Sequence, residues 1–189
     1  MIKLKYVFMA CMICAMCSTS IAQAAEQVSI KVPAGWIKAY EAENKTSTIR
    51  EYIKKGETLK NWSEMITLVQ TKSKNKQVFQ QLVNIAPRVI GKRCQKKAVS
   101  DARTFDKNLK ELALVVEIAC DHVNTKNTPP GVVAYKKEML RTFTAISPTG
   151  IYSLQLAWHD NKKSAEAKLR NGQNKSLFKT LIKSALKSY

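Results

Sequence analysis

The sequence has few of the residues, and lacks several of the short patterns, on which enzyme sites are commonly built. Only 2 of its 189 residues are His, and HExxH, GxSxG and the glycine-rich loop that cradles phosphates are missing. Because a zinc site or a catalytic triad needs several converging groups, His122 and His159 are predicted to be isolated, solvated or hydrogen-bonded imidazoles. With 6 Gly and 5 Pro, the chain is neither collagen-like nor of low complexity.

Acidic residues are also scarce. The chain has 14 Asp and Glu against 32 Lys and Arg, which gives a formal net charge of +18. Charged residues make up 24% of the chain, an ordinary share for a soluble domain, so the unusual feature is the sign of the charge. Apolar residues at 45% exclude a wholly disordered chain, and the length favours one domain.

The first 24 residues have the organisation of a secretory signal peptide. Two lysines precede an apolar run, Tyr6–Met16, and the small-x-small site Ala22-Gln23-Ala24 follows it. The run is well short of the ~20 residues that span a bilayer. We expect cleavage after Ala24, with Ala25 as the near alternative, and a single secreted domain over residues 25–189. Since the two lysines leave with the signal, the net charge of that domain would be +16.

Two cysteines, Cys94 and Cys120, follow the predicted cleavage site. An oxidising compartment leaves them one intramolecular pairing, which on the chain-entropy model stabilises the fold by roughly 3.5 kcal/mol. The alternative is that Cys120 acts as a nucleophile beside Asp121 and His122. An exported thiol with an available partner oxidises first, so the disulfide is predicted.

The hydrophobic pattern predicts strands, a helix, further strands and a final helix. Alternating or densely β-branched stretches predict strands over Gln27–Val32, Trp36–Ala42, Thr46–Ile53, Ser63–Thr71, Glu111–Ala119, Glu138–Ile146 and Ile151–His159. Helical periodicity begins at Asn75, and Pro87 is expected to end or kink that helix near Ala86. The final helix is predicted in two parts, over Ser164–Arg170 and Asn174–Lys187. Without a βαβ repeat, the order indicates an α+β fold, an antiparallel sheet with two helical segments packed on one face or end.

Positive charge is gathered in two places, which form the candidate anion-binding residues. The first group is Lys92, Arg93, Lys96 and Lys97, and the second is Lys175, Lys179, Lys183 and Lys187. Because the second group recurs every fourth residue, it would form a slanting ridge along one side of a helix. An even, solubilising coat of lysines is the alternative interpretation.

Anionic membrane lipids, phosphoinositides included, are the first predicted partner class, since each Lys near an acidic leaflet contributes ~1 kcal/mol. A sequence-nonspecific nucleic-acid or acidic-polymer binder is the second. Such binders usually expose aromatic side chains for base stacking. The residues expected to face the core instead are Trp36, Tyr40, Trp62, Phe79, Phe143, Tyr152 and Trp158. Those expected at the surface near bases are Tyr52, Phe105, Tyr135 and Tyr189.

A hydrolase with carboxylates assembled in space is the third class, with Glu51, Glu57 and Glu64 close together in sequence. No cofactor, metal site or catalytic residue is predicted, so a non-enzymatic binding protein is the favoured interpretation.

The segment Thr48–Thr67 (TIREYIKKGETLKNWSEMIT), with its Gly56-Glu57 turn and its WSEMIT stretch, resembles uncharacterised small secreted proteins of gammaproteobacteria. The Lys-rich, signal-bearing whole is similar to the novel type II secretion substrates of Legionella. The resemblance implies a secretion route, but it assigns no functional residues to this sequence. The protein would fold and form its disulfide in the periplasm, then leave the cell, where a host partner is one prospect.

Overall fold

The computed structural model describes residues 28–96, 99–103, 113–124, 135, 137–159 and 174–187, to which the structural statements below refer. These residues form nine strands and two helices. The strands are β1 (Trp36–Glu43), β2 (Ser47–Lys54), β3 (Glu64–Thr71), β4 (Cys94–Lys96), β5 (Val99–Arg103), β6 (Ala113–Cys120), β7 (His122–Val123), β8 (Glu138–Ser147) and β9 (Gly150–His159). The helices are α1 (Lys76–Arg93) and α2 (Lys175–Leu186).

Seven of the strands form one antiparallel sheet in the order β1-β2-β3-β9-β8-β6-β5, and β4 pairs with β7 in a separate ribbon. Strand β9 inserts between β3 and β8, so the two halves of the chain share one sheet. The two halves meet closely at Gly150, where an added Cβ would lie 1.8 Å from the backbone oxygen of Thr71. Glycine is therefore required at the start of β9.

Each face of this sheet is covered by a different helix. Phe79 and Val83 of α1 pack on residues of β6, β8 and β9, while α2 packs on the alternate residues of the central strands. The α+β prediction of an antiparallel sheet with two helices is confirmed. The expected placement on one face or end differs from the structure, because β6, β8 and β9 are apolar on both faces and each face needs its own cover.

The predicted first strand is absent, because residues 28–33 pair with no strand. The backbone N–H of Val28 donates to Oε1 of Gln70 over 3.1 Å, and that of Lys31 donates to Oγ of Ser184 over 3.0 Å. Side chains of β3 and α2 thus take the place of a ladder partner. The predicted signal peptide, Lys97 and the predicted helix Ser164–Arg170 lie outside the described residues.

Helix α1 does not end before Pro87 but continues to Arg93. Proline removes one helical hydrogen bond and usually breaks a helix, yet tertiary packing can outweigh this local cost. Here Phe79 and Val83 anchor the first half of the helix, and Cys94, immediately after its last residue, is bonded to Cys120 of β6. The proline rule failed because both ends of the helix are held by the sheet.

The predicted disulfide between Cys94 and Cys120 is present, with the two Cα atoms 5.8 Å apart. It fastens the end of α1 to the end of β6. Strand β5, which pairs beside β6, was missed because its sequence (VSDAR) has little apolar character. The short β4–β7 ribbon is held next to the disulfide and carries too little sequence signal to be predicted.

A charged pair lies inside the core that α2 covers. Nε of Arg141 on β8 is 2.7 Å from Oε1 of Glu117 on β6, and the Arg141 side chain is only 1% exposed. The guanidinium also lies 5.3 Å from the ring centroid of Trp158. Because a buried guanidinium needs its carboxylate, this pair ties β6 and β8 together in one register.

We predict that removing the disulfide destabilises the protein. The Cys94→Ala/Cys120→Ala variant should lose about 3 kcal/mol of unfolding free energy, because its unfolded chain is no longer constrained. Denaturant unfolding of the oxidised protein and the variant measures the difference. Alkylation of the denatured, unreduced protein should leave its intact mass unchanged, and addition of two alkyl groups would contradict the bond.

We predict that Glu117→Gln costs about 3–5 kcal/mol of unfolding free energy, since it removes the carboxylate that faces the buried Arg141 guanidinium. The double variant Glu117→Leu/Arg141→Met, which removes both charges, should recover most of that loss. Chemical denaturation of the three proteins tests this. A double variant no more stable than Glu117→Gln would show that the charges are not the cause.

Candidate functional site: the lysine face of helix α2

The apolar side of helix α2 fixes the helix against the sheet. Its buried residues are Phe178, Leu181, Ile182 and Ala185. Ser184 accepts the hydrogen bond from the Lys31 backbone and donates one to the carbonyl of Leu181 over 2.8 Å. At the start of the helix, Nδ2 of Asn174 donates to Oε1 of Glu64 over 3.4 Å. The rotation of the helix about its own axis is therefore determined, and so is the side that it presents outward.

The four predicted lysines of this helix are all exposed on that outer side. We call this group, Lys175, Lys179, Lys183 and Lys187, the α2 lysine face. Within the described part of the chain, none of the four side chains forms an ion pair or hydrogen bond. The predicted ridge is thus present, with its ammonium groups unpaired.

The helix itself does not offset this concentration of positive charge. Like charges four residues apart cost about 0.2–0.5 kcal/mol per pair. The first turn holds no acidic residue, so Lys175 adds to the positive end of the helix dipole, while Lys183 lies favourably in the last turn. The outer side of α2 is therefore an electropositive surface that an external anion would stabilise.

Four bases outside α2 are paired with acids in the described structure, among them Lys38, Arg50 and Lys54. Glu41 accepts hydrogen bonds from Lys38 and from Arg50, and these bonds, Lys38 first, hold the pKa of its exposed carboxyl below the usual range. Lys54 is 3.2 Å from Glu64. Exposed lysines outside α2, such as Lys45, Lys72 and Lys74, have no described ion-pair partner either, so α2 differs from them in carrying four lysines along one side of a single helix.

The other predicted basic group is not on the same face as α2. Lys92 is exposed near the end of α1, which covers the opposite side of the sheet. Arg93 and Lys96 have described backbones, in α1 and β4, but their side chains lie outside the described part of the structure, as does Lys97. The described residues thus do not bring the two basic groups together on one surface.

The two histidines differ in their surroundings. His122 is exposed in β7. The His159 ring lies 3.9 Å, centroid to centroid, from both Trp62 and Tyr135, and its Nδ1 is 3.1 Å from the Trp62 carbonyl oxygen. One exposed and one stacked, hydrogen-bonded imidazole agree with the sequence prediction.

The stacked Tyr135 is also hydrogen-bonded, since its hydroxyl donates to Oδ1 of Asn61 over 3.0 Å. Burial, and secondarily the nearby Glu57 carboxylate, raise the pKa of its phenol above the usual 10.0. The protonated phenol is therefore favoured in the folded state.

The three carboxylates considered for hydrolysis do not converge. Glu51 pairs in register with Thr67, so it lies on the face of the sheet opposite Glu64. Glu57 lies in the turn before β3, where the Ser63 hydroxyl donates to it. Among the described residues, no three His, Cys, Asp or Glu side chains are grouped as a metal site requires.

Comparison with known proteins adds little to this description of the site. No protein-family model and no curated protein matches the chain. It is similar to two solved structures, the Ran-binding protein Mog1p of Saccharomyces cerevisiae and a point mutant of protein Mog1. For each the TM-score is 0.48 and the identity 11%, over 82% of this chain and 87% of the other. A likeness this distant says nothing about a shared partner.

Within the described residues, no helix has the length and hydropathy to cross a bilayer.

We predict that Tyr135 ionises above pH 10, because burial, and secondarily the Glu57 carboxylate, raise the pKa of its phenol. The ultraviolet difference titration between the protein and Tyr135→Phe should therefore be centred above that pH. The stabilisation from the protonated phenol is complete below the unfolded-state pKa and is lost as pH rises through the folded-state pKa. A difference curve centred at or below pH 10 would contradict the stacked, partly buried position of this ring.

Proposed function

We propose that this is a secreted, non-enzymatic binding protein that uses the α2 lysine face to dock on anionic membrane lipids, phosphoinositides included. The observation that supports this most is the set of four exposed lysines without a described ion-pair partner. The face lies on the outer side of a helix and not within a pocket, a shape that suits a flat layer of headgroups.

The energy available from this face is modest. At ~1 kcal/mol for each Lys, four residues give about 4 kcal/mol, which corresponds to a dissociation constant on the order of 1 mM. Exposed charges are screened by salt, so the interaction would weaken as ionic strength rises. Multiply phosphorylated headgroups would increase the attraction, because each presents several negative charges to the same helix side.

The side chains that lie between the lysines on α2 favour lipid over nucleic acid as the partner. The residues exposed between them are Ser176 and Thr180, and the one aromatic residue of the helix, Phe178, is buried. Proteins that bind single-stranded nucleic acid commonly stack bases on exposed aromatic side chains. No exposed aromatic side chain lies on the described part of this helix.

Export belongs to the same proposal. The Cys94–Cys120 disulfide is compatible with an oxidising compartment. Together with the signal-like first 24 residues, it supports a route through the periplasm to the outside of the cell, and type II secretion remains the proposed means. The lipids of a host membrane would then be within reach.

We predict that flotation with phosphoinositide-containing vesicles depends on the α2 lysine face. Changing Lys175, Lys179, Lys183 and Lys187 to Gln preserves helix propensity but removes about 4 kcal/mol of attraction. The apparent membrane partition should fall by roughly a thousandfold. The matched control changes Lys45, Lys72, Lys74 and Lys76 to Gln, which removes the same charge from exposed positions outside α2.

The control should retain most of the binding. An equal loss in both variants would assign the effect to net charge and not to the α2 lysine face. Failure of the unmodified protein to float at physiological salt would overturn the lipid proposal. Salt-dependent binding to single- or double-stranded DNA without vesicle binding would favour the nucleic-acid alternative, whereas a log–log salt slope near zero would eliminate it.

A further inference from the structure

Four polar side chains lie in one row across the sheet, on the face opposite α2. Cross-strand register places Tyr40 beside Glu51, Glu51 beside Thr67, and Thr67 beside Gln155. Because directly paired residues of antiparallel strands point to the same side, the four side chains share one face. At ~4.8 Å between strands, the row sets a phenol, a carboxylate, a hydroxyl and an amide side by side over about 14 Å.

None of these four side chains forms a hydrogen bond or ion pair in the described structure. For Glu51 this is unusual, since it is half-buried, and desolvation alone raises the pKa of its carboxyl. A partly desolvated carboxylate is normally paired or hydrogen-bonded. In a chain with a net charge of +18, no base of the described residues forms an ion pair with Glu51.

Apolar side chains border the row on both sides. The neighbouring row on one side is Ile37, Ile53, Met65 and Ala157, and on the other side Ala42, Ile49 and Val69, followed on β9 by the polar Ser153. No Lys or Arg of β1, β2, β3 or β9 lies in these three rows. The excess of positive charge therefore does not extend to this part of the described surface.

The centre of this region is less exposed than its edge on β1. Ile53 is 1% exposed and Glu51, Met65 and Thr67 are half-buried, whereas Ile37 and Tyr40 on β1 are more than 40% exposed. On the β9 side, Ala157 and Leu82 of α1 are both partly buried and pack against the core cluster that includes Phe79. We call this region the Glu51 recess.

Tyr40 was predicted to face the core, and the structure corrects this. Strand β1 is at the edge of the sheet, and a bulge between Lys38 and Tyr40 shifts its register. Tyr40 thereby comes into register with Glu51. At this position the Tyr40 side chain is 43% exposed. An aromatic ring beside a carboxylate is a favourable setting for an organic cation, which is attracted to both.

We propose that the Glu51 recess binds a small organic ammonium ion that carries an apolar body. The ammonium group donates hydrogen bonds to the Glu51 carboxylate and contacts the Tyr40 ring. Thr67, directly beside Glu51, supplies a further hydrogen-bond acceptor, and the apolar body lies on Met65, Val69 and their neighbours.

Phenethylammonium is a suitable probe, with 2-phenylethanol and 3-phenylpropionate as its neutral and anionic analogues. Backbone amide NMR titration of the purified protein, with its disulfide intact, measures binding. We expect saturable shifts in β1, β2, β3 and β9 with phenethylammonium, binding at least about tenfold weaker with the alcohol, and none with the carboxylate.

Glu51→Gln keeps the shape of the side chain and should weaken phenethylammonium binding by about tenfold or more. The matched control is Glu43→Gln, which removes an exposed carboxylate from the opposite face of neighbouring β1 and should leave binding within about twofold. Tyr40→Leu, at an exposed edge position, should weaken binding about threefold or more.

Three results would overturn the proposal. They are the absence of saturable shifts, equal binding of the alcohol and the ammonium ion, and unchanged binding to Glu51→Gln. If Glu51→Gln fails to fold, the comparison of Tyr40→Leu with Glu43→Gln decides, and equal binding to those two variants would overturn it. Vesicle binding by the α2 lysine face is measured separately, so neither proposal depends on the outcome of the other.

Discussion

Burial on both faces of the central strands is the constraint from which the rest of the structure follows. In β8 and β9, nearly every consecutive residue from Glu138 to Ser147 and from Gly150 to Leu154 is buried. A sheet that is apolar on both sides must be covered on both sides, and two amphipathic helices meet that need. Once the apolar stripe of α2 is committed to this core, its lysines can only point outward. Helix α1 covers the other side over β6, β8 and β9 and leaves much of β1–β3 beyond its reach.

The distribution of charge follows from the same arrangement. On the large sheet, each base whose side chain is described has an acidic partner, as Arg141 has Glu117 and Arg50 has Glu41. A base in the core without a partner would be costly, and a base on the outer side of a helix is not. The excess of Lys is therefore tolerated on exposed helix sides and loops. The α2 lysine face is one product of that tolerance, and the proposed lipid docking is a use that the fold makes available.

Sequence periodicity was sufficient to predict β2, β3, β8, β9 and α2, because the apolar positions in their sequences are the positions that are buried in the structure. It failed where a segment's partner is distant in sequence. Residues 28–33 alternate like a strand, yet their amides bond to Gln70 and Ser184, which no local pattern reveals. Pro87 is tolerated because the disulfide and the sheet hold α1, and Tyr40 changes its surroundings through a bulge. The α2 lysine face could be read from four-residue spacing alone. The Glu51 recess could not, because it depends on the register of four strands, two of them more than 80 residues apart.

The two proposed sites lie on opposite faces of one sheet, and this has a mechanical consequence. If the protein rests on a membrane through α2, the sheet lies between the membrane and the Glu51 recess. The recess is then directed away from the lipid. The negative surface potential that attracts the lysines decays within about 8 Å at physiological ionic strength, less than the thickness of a helix packed on a sheet. A cation in the Glu51 recess would therefore be little affected by the bilayer. Docking and cation binding would occur together without electrostatic competition, so one molecule could carry an organic cation while remaining at an anionic surface.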